Sequence, residues 1–512
     1  MERGSNLTKL PLEEARCRLR KHLPEPSALQ LIPEAMARKY TVIPLGVSGN
    51  VLQVAMANPT DILALEALAS RTQMRIEPEE ATAEEIQEAI DFNYKAYDEI
   101  ERQISSISLP SQAKEEQLKL DTVTDAPVAQ ALTLLIDEAV KAGASDIHLQ
   151  PQEDNLRVRY RIDGALHDVL SLPSATASLL ISRIKILANM NIADHHRPQD
   201  GQFSIKTKGR RAIDIRVATI GNVYGEMATL RLLDKARAIM KLTDLGLLPE
   251  SLAKYEEMLK VPHGMILVSG PTGAGKTTTL YASVNCLDHS ARNIVTTEDP
   301  VEYRFKNINQ IQVNPRAGIT FASGLRSILR LDPDVVLVGE IRDAETANIA
   351  VQAALTGHLV LSSIHANDAV GVVLRLLDLG VEPFLVSSAL IGVVAQRMVR
   401  RVCPDCAQPV SAPIIEQMAY GREIGGKRAE FLYGSGCQSC AHTGYRGRTG
   451  IFEILHMSDQ IRMMVLGGTT AVQLRTQAIK EGMIPLLKDG MLKVKADITT
   501  PAEVLRNAYS IE

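Results

Sequence analysis

Met265-Ile266-Leu267-Val268-Ser269-Gly270-Pro271-Thr272-Gly273-Ala274-Gly275-Lys276-Thr277-Thr278 is an apolar run, a glycine-rich turn and the start of a helical pattern. Its second part fits G-x-x-x-x-G-K-[ST] at every position, in the strand-loop-helix context the motif requires. Glycines let backbone N–H groups wrap an anion, and the following helix adds positive potential at its N-terminus. Gly270, Pro271, Thr272, Gly273, Ala274 and Gly275 are therefore candidate phosphate-cradling positions. Lys276 is placed for β- and γ-phosphates, Thr277 for magnesium, with Thr278 beside them.

Working outward, alternating apolar strands and helices from about residue 236 predict a parallel sheet. Val335-Val336-Leu337-Val338-Gly339-Glu340 is a buried-strand pattern ending in a carboxylate, where open α/β sheets place ligands. Glu340 is a candidate to hold magnesium through water or to position the attacking water. Glu298-Asp299-Pro300-Val301-Glu302 sets three acids just after another strand. By composition this is either a solvated loop or a group that polarises water or binds metal. His358 and His365 bracket the apolar Leu359–Ile364. Such histidines are commonly structural, and a γ-phosphate sensor is the sharper reading.

At 512 residues the chain is too long for one core. Upstream, short strands Val42–Leu45 and Val51–Ala55 flank Ser48-Gly49-Asn50. A helix is expected from Pro59, and Thr82 with Glu85 forms a capping box. Residues 96–120 read as a helical tail and polar linker. A second domain begins near Asp125, a candidate helix cap ahead of Pro127. There Leu156–Arg161 alternates apolar residues with arginines, Asp163-Gly164 signals a hairpin, and a helix is expected over Ile181–Met190. The last 65 residues read as helices, with Met483–Asp489 as a loop.

The net charge of −4 and an aromatic content of 4% without tryptophan provide neither a basic field nor stacking platforms for nucleic acid. A nucleic-acid motor is thus the weaker alternative. The longest apolar stretch, Pro383–Ala395, is too short to span a bilayer, and the charged N-terminus lacks a signal-peptide apolar core. Cys403-x-x-Cys406 and Cys437-x-x-Cys440 are separated by 30 residues. Doubled knuckles of this kind suit a closed tetrahedral zinc site.

GPTGAGKTTT, TTEDPVEY, LDPDVVLVGEIRD and TGHLVLSSIHAND, in that order, resemble the type II secretion and type IV pilus assembly ATPases. ASDIHLQP, RRAIDIRVATI and the two cysteine pairs extend the resemblance over about 125–512. It implies an α/β fold: a RecA-like P-loop domain preceded by a PAS-like α/β lobe, a small N-terminal docking domain and a four-cysteine zinc insertion. The expected divisions are 1–100 docking domain, 101–120 linker, 121–235 second N-terminal domain, 236–400 ATPase domain, 401–447 zinc subdomain and 448–512 helical subdomain. The resemblance assigns Glu302 as general base and Glu340 as the magnesium-side carboxylate. It makes His358 and His365 the γ-phosphate-sensing pair, and Arg216 and Arg231 arginine fingers. It implies ATP, Mg2+ and Zn2+, and a homohexamer at the cytoplasmic face of the inner membrane. Its partners would be a recruiting protein docked by 1–100 and a polytopic platform protein, with no nucleic acid. The cysteine insertion leans toward export or extension, because retraction motors typically lack it. Gln150, Gln202, Leu331 and Ala366 depart from the family pattern. In related chains the N-terminal domain sometimes binds a cyclic dinucleotide; no paired glycine-rich repeat is found here.

Overall fold

The computed structural model describes residues 26–90 other than 30, 84 and 88, then 126–206, 212–233, 240–440 and 443–508. The expected linker and the Asp125 cap lie outside the described residues. The chain forms two compact units that part between Asp234 and Lys235, with Ser435–Gly444 grouped with the first.

In the first unit, β1 (Val42–Ser48) and β2 (Val51–Met56) are antiparallel, and β3 (Arg75–Glu80) joins β2 in parallel. Gly49 turns the hairpin with φ of 60°. The helix expected from Pro59 runs over Ile62–Thr72, because Asp61 caps it by accepting from Ala64 N at 3.1 Å. The Thr82 box is made in both directions, with Glu85 N donating to Thr82 Oγ1 at 3.3 Å and Thr82 N to Glu85 Oε2 at 3.2 Å.

Further along, six strands form a sheet in the order β6-β5-β4-β9-β8-β7. They are β4 (Ala144–Pro151), β5 (Asn155–Ile162), β6 (Ala165–Pro173), β7 (Gln199–Lys206), β8 (Ala212–Asn222) and β9 (Gly225–Leu233). Period-two alternation sends Leu156, Val158, Tyr160, Ile215, Val217 and Leu230 into the core under helices Ala126–Lys141 and Ala175–Leu187. It leaves Arg157, Arg159, Arg161, Arg216 and Arg231 on the other face. Asp163 and Gly164, at φ of 48° and 87°, close the β5–β6 hairpin. The helix expected over Ile181–Met190 starts and ends earlier. Ala177, Leu180, Ile181 and Ile184 bury its face, and Asn189 at φ of 54° stops it.

The second unit holds a seven-stranded sheet, order β12-β11-β13-β14-β10-β15-β18. β10 (Gly264–Ser269), β11 (Ile294–Glu298), β12 (Asn309–Gln312), β13 (Val335–Ile341), β14 (Leu359–Ile364) and β15 (Leu390–Val402) are parallel. Helices cover both faces, which is why β10, β13 and β14 each begin as an apolar run, with polar Ser362, Ser363 and Glu340 only toward the carboxyl ends of β14 and β13. The small ladder of β16 (Ala407–Ser411) and β17 (Glu430–Gly434) stands apart in sequence between β15 and β18 (Tyr445–His456). β18 returns antiparallel beside β15.

Beyond β18 the described chain is helical, with two corrections. The reading of the last 65 residues as helices fails at its start, because residues 448–456 belong to β18, where Ile451, Phe452, Ile454 and Leu455 are buried beside β15. Met483–Asp489 is not a loop throughout, since a helix runs over Leu486–Lys495 from an N-cap at Pro485. Proline before the first turn costs no helix hydrogen bond. Asp489 is fully buried, accepts from Phe452 N at 3.0 Å and pairs with buried Lys493. Burial pushes the Asp489 carboxyl up and the Lys493 ammonium down, and each charge partly offsets the other's shift.

Candidate active site

The loop after β10 opens into helix Lys276–Cys286. Gly270, Gly273 and Gly275 take φ of 151°, 78° and 85°, conformations that L side chains rarely adopt. At Gly270 space forbids a side chain as well, since a Cβ would lie 2.5 Å from Gln396 O. Lys276 Nζ donates to Gly270 O at 2.7 Å and Pro271 O at 3.1 Å, folding back over the loop. Burial lowers its pKa, Glu340 opposes that, and Arg397 adds to it.

Gln396 on β15 escaped the sequence reading. It is 1% exposed, donates from Nε2 to Ala274 O at 2.6 Å and accepts from Thr279 Oγ1 at 2.7 Å. One side chain thus ties the loop to the first turns of its helix. Arg397 follows it, donating to Gln396 O at 3.2 Å and Asn367 O at 2.6 Å.

Glu340 stands at the carboxyl end of β13. The β13–β14 ladder shifts register after Val338, and Ser362 and Ser363 donate to Val338 O and Gly339 O at 2.7 Å each. Those hydroxyls satisfy the carbonyls freed by the shift. Glu340 pairs with Arg342 and lies 3.6 Å from His365 Nε2. Exposed Thr277 and this carboxylate are hard oxygen donors of the kind magnesium accepts alongside water and phosphate.

The acid cluster after β11 divides by burial. Glu298 is 3% exposed and accepts from Tyr281 Oη, from Thr296 Oγ1 at 2.5 Å and from Gln310 Nε2 at 3.1 Å. That makes it an internal anchor, whereas Glu302 lies in the loop beyond, at an intermediate level of burial. Its backbone N–H donates to Tyr281 Oη at 3.2 Å.

The two histidines are separated. β14 lies in parallel register with β10, pairing Ile364 with Ser269 and Leu359 with Gly264. His365 therefore follows the end that carries the phosphate loop. His358 sits at the opposite end, where its carbonyl accepts from Gly264 N at 3.0 Å and its Nδ1 lies 2.9 Å from Ala353 O. Six strand residues span about 20 Å, so within one chain His358 does not join His365.

In the first unit, Arg216 and Arg231 are cross-strand neighbours, with Gln202 opposite Arg216 and Asp146 opposite Arg231. Arg231 Nε donates to Asp146 Oδ1 at 3.0 Å. Like charges directly opposite are unfavourable unless an anion lies between or beside them. Gln150 accepts from Arg159 at 2.5 Å, Leu331 is 56% exposed, and Ala366 packs at the edge of the sheet core.

Sγ atoms of Cys403, Cys406, Cys437 and Cys440 all lie within 4.8 Å of one another. A tetrahedral site with Zn–S bonds of about 2.3 Å spaces its sulfurs about 3.8 Å apart. Cys437 and Cys440 Sγ are 3.8 Å apart, and Cys437 N donates to Cys440 Sγ at 3.2 Å. The cluster can hold zinc.

A family model described as type II/IV secretion system protein matches residues 121–506, and one described as MshEN domain matches 9–99. The chain is 43% identical to type II secretion system protein E of Klebsiella pneumoniae, over 93% of this chain and 96% of that one. It is 40% identical to the type IV pilus assembly ATPase PilB of Myxococcus xanthus, covering 94% and 87%. The crystal structure of the pilus retraction motor PilT with bound ADP aligns at 26% identity and a TM-score of 0.52, covering 73% and 96%. The ATPase DotB of Legionella pneumophila, at 20% identity and a TM-score of 0.55, covers 72% and 93% and shares the fold. Sequence, sheet order and relatives agree: the chain belongs to the type II/IV secretion system protein family and is an ATPase.

Proposed function

We propose that this ATPase works as a homohexameric motor at the cytoplasmic face of the inner membrane, driving type II protein secretion or type IV pilus assembly. The observation that carries the reading is the convergence of Lys276, Glu340 and the Glu302 loop on the carboxyl edge of one parallel sheet. No helix among the described residues is long and apolar enough to cross a membrane. Attachment would therefore run through partners: a membrane-anchored recruiting protein on residues 1–100 and a polytopic platform protein.

In this reading the loop amides and Lys276 hold the β- and γ-phosphates. Thr277 and Glu340 would hold magnesium, which when bound neutralises phosphate charge. Glu302 accepts the proton of the attacking water. His365, beside Glu340, is placed to respond to the γ-phosphate. Arg216 and Arg231 of the 121–235 domain supply positive charge to the transition state. Conformational steps tied to each turnover would convert hydrolysis into movement. The test is Lys276→Ala. Steady-state hydrolysis is expected to fall by about 10² or more, as when one oriented charge donor leaves a reacting site. Hydrolysis at the parent rate would overturn the assignment.

Zinc in the four-cysteine cluster would be structural, since four thiolates leave no open position. Purified protein is expected to carry zinc by atomic absorption. Cys403→Ser with Cys437→Ser should lose it and lower the melting temperature. Nucleotide binding should persist, because no phosphate-loop residue belongs to the cluster.

A further inference from the structure

Glu302 and the phosphate loop belong to different segments, and one tyrosine connects them. Tyr281 lies on helix Lys276–Cys286, just beyond the turn that carries Lys276 and Thr277. Its hydroxyl donates to the carboxylate of Glu298 and accepts the backbone N–H of Glu302 at 3.2 Å. Thr296 and Gln310 hold the same carboxylate at 2.5 and 3.1 Å. Burial and the adjacent Glu298 charge raise the Tyr281 pKa, so the hydroxyl keeps the proton it donates.

The rest of the loop is fastened as well. Gln310 accepts from Phe305 N at 2.8 Å and donates to Tyr303 O at 3.1 Å. Gln312 accepts from Val301 N at 3.3 Å. Tyr281 also packs edge-on against Tyr303 and Phe305, with centroids 4.6 and 5.1 Å away. Among these contacts Tyr281 alone comes from the helix that begins at the phosphates, and it grips the residue that carries the proposed base.

We infer that Tyr281, oriented by Glu298, is a positioning residue that fixes Glu302 relative to the phosphate loop. This rests on the reading of Glu302 as general base. A base held from the nucleotide-binding helix follows that helix, so proton acceptance is registered to the γ-phosphate. Removing the hydroxyl leaves the aromatic packing in place and takes away the bond from the helix to Glu302 N.

The test is Tyr281→Phe in the full chain, in the parent and in a Glu302→Gln background. In the parent, kcat should fall about 10- to 100-fold with KM for ATP little changed, the scale of misplacing a reacting group by about 1 Å. In the Glu302→Gln background the same change should cost less than about twofold, because the group it positions has gone. Equal losses in both backgrounds would mean a merely structural hydroxyl and overturn the inference, as would parent-like kcat. Should Glu302→Gln itself hydrolyse at the parent rate, the base assignment fails and the inference with it. If Tyr281→Phe does not fold, Glu298→Gln takes the charge from the acceptor that orients the Tyr281 hydroxyl. It should likewise lower kcat without moving KM, and an unchanged kcat there would overturn the inference.

Discussion

Glu302→Gln is expected to cut the turnover number by about 10² to 10⁴, the contribution of a positioned general base. The amide is nearly isosteric but accepts no proton from water at neutral pH. ATP binding, measured as KM or by a fluorescent analogue, should change little, because the lost interaction belongs to the transition state. The backbone N–H that bonds Tyr281 is untouched by the substitution, so the loop should keep its shape and the loss should be chemical. A parent-like rate would remove Glu302 from the chemistry.

Alanine at Arg216 or Arg231 should cost about 10³ to 10⁵ in hydrolysis if these residues serve as arginine fingers. The two guanidiniums are cross-strand neighbours, and Asp146 pairs with Arg231 at 3.0 Å. The decisive measurement mixes subunits. If fingers act between neighbouring chains of a ring, Arg231→Ala protein mixed with Lys276→Ala protein should recover activity that neither has alone. No recovery, with each variant otherwise assembling, would mean that the arginines do not act across the boundary between neighbouring chains.

Which parts of this site the sequence could express follows from how locally each part is built. A phosphate cradle needs its glycines, lysine and hydroxyl in one contiguous turn, so Gly270–Thr277 is legible letter by letter. Glu340 is legible because a buried parallel strand must be apolar and its end must be polar. Gln396 is not, since it reaches Ala274 across 122 residues from within an apolar strand, where one glutamine reads as an interruption. Tyr281 looks like an ordinary core position on a helix, and only the fold shows that its hydroxyl serves two acid-cluster residues. The acids themselves could not be ranked by composition; burial separates Glu298 from Glu302. His358 and His365 looked equivalent because strand direction is invisible until the sheet is assembled. The helix from Leu486 was masked by Pro485 and by Asp489, a charge whose buried partners lie on β18 and one turn along the helix.

The hairpin of β15 and β18 carries a consequence for how this chain can be shortened. Val402 and Tyr445 face one another at its tip, so the segment between them leaves and returns at a single point. A tight turn could close the ladder in its place. Yet Ala412, Tyr420 and Phe431 of that segment pack with Met491, Val494 and Val504 of the terminal helices, and Arg428 pairs with Asp497 at 2.6 Å. Excision would strip an apolar face bare and invite aggregation. The insert and the tail therefore behave as one heritable cassette: a chain that loses the first must also recolour the second with polar residues.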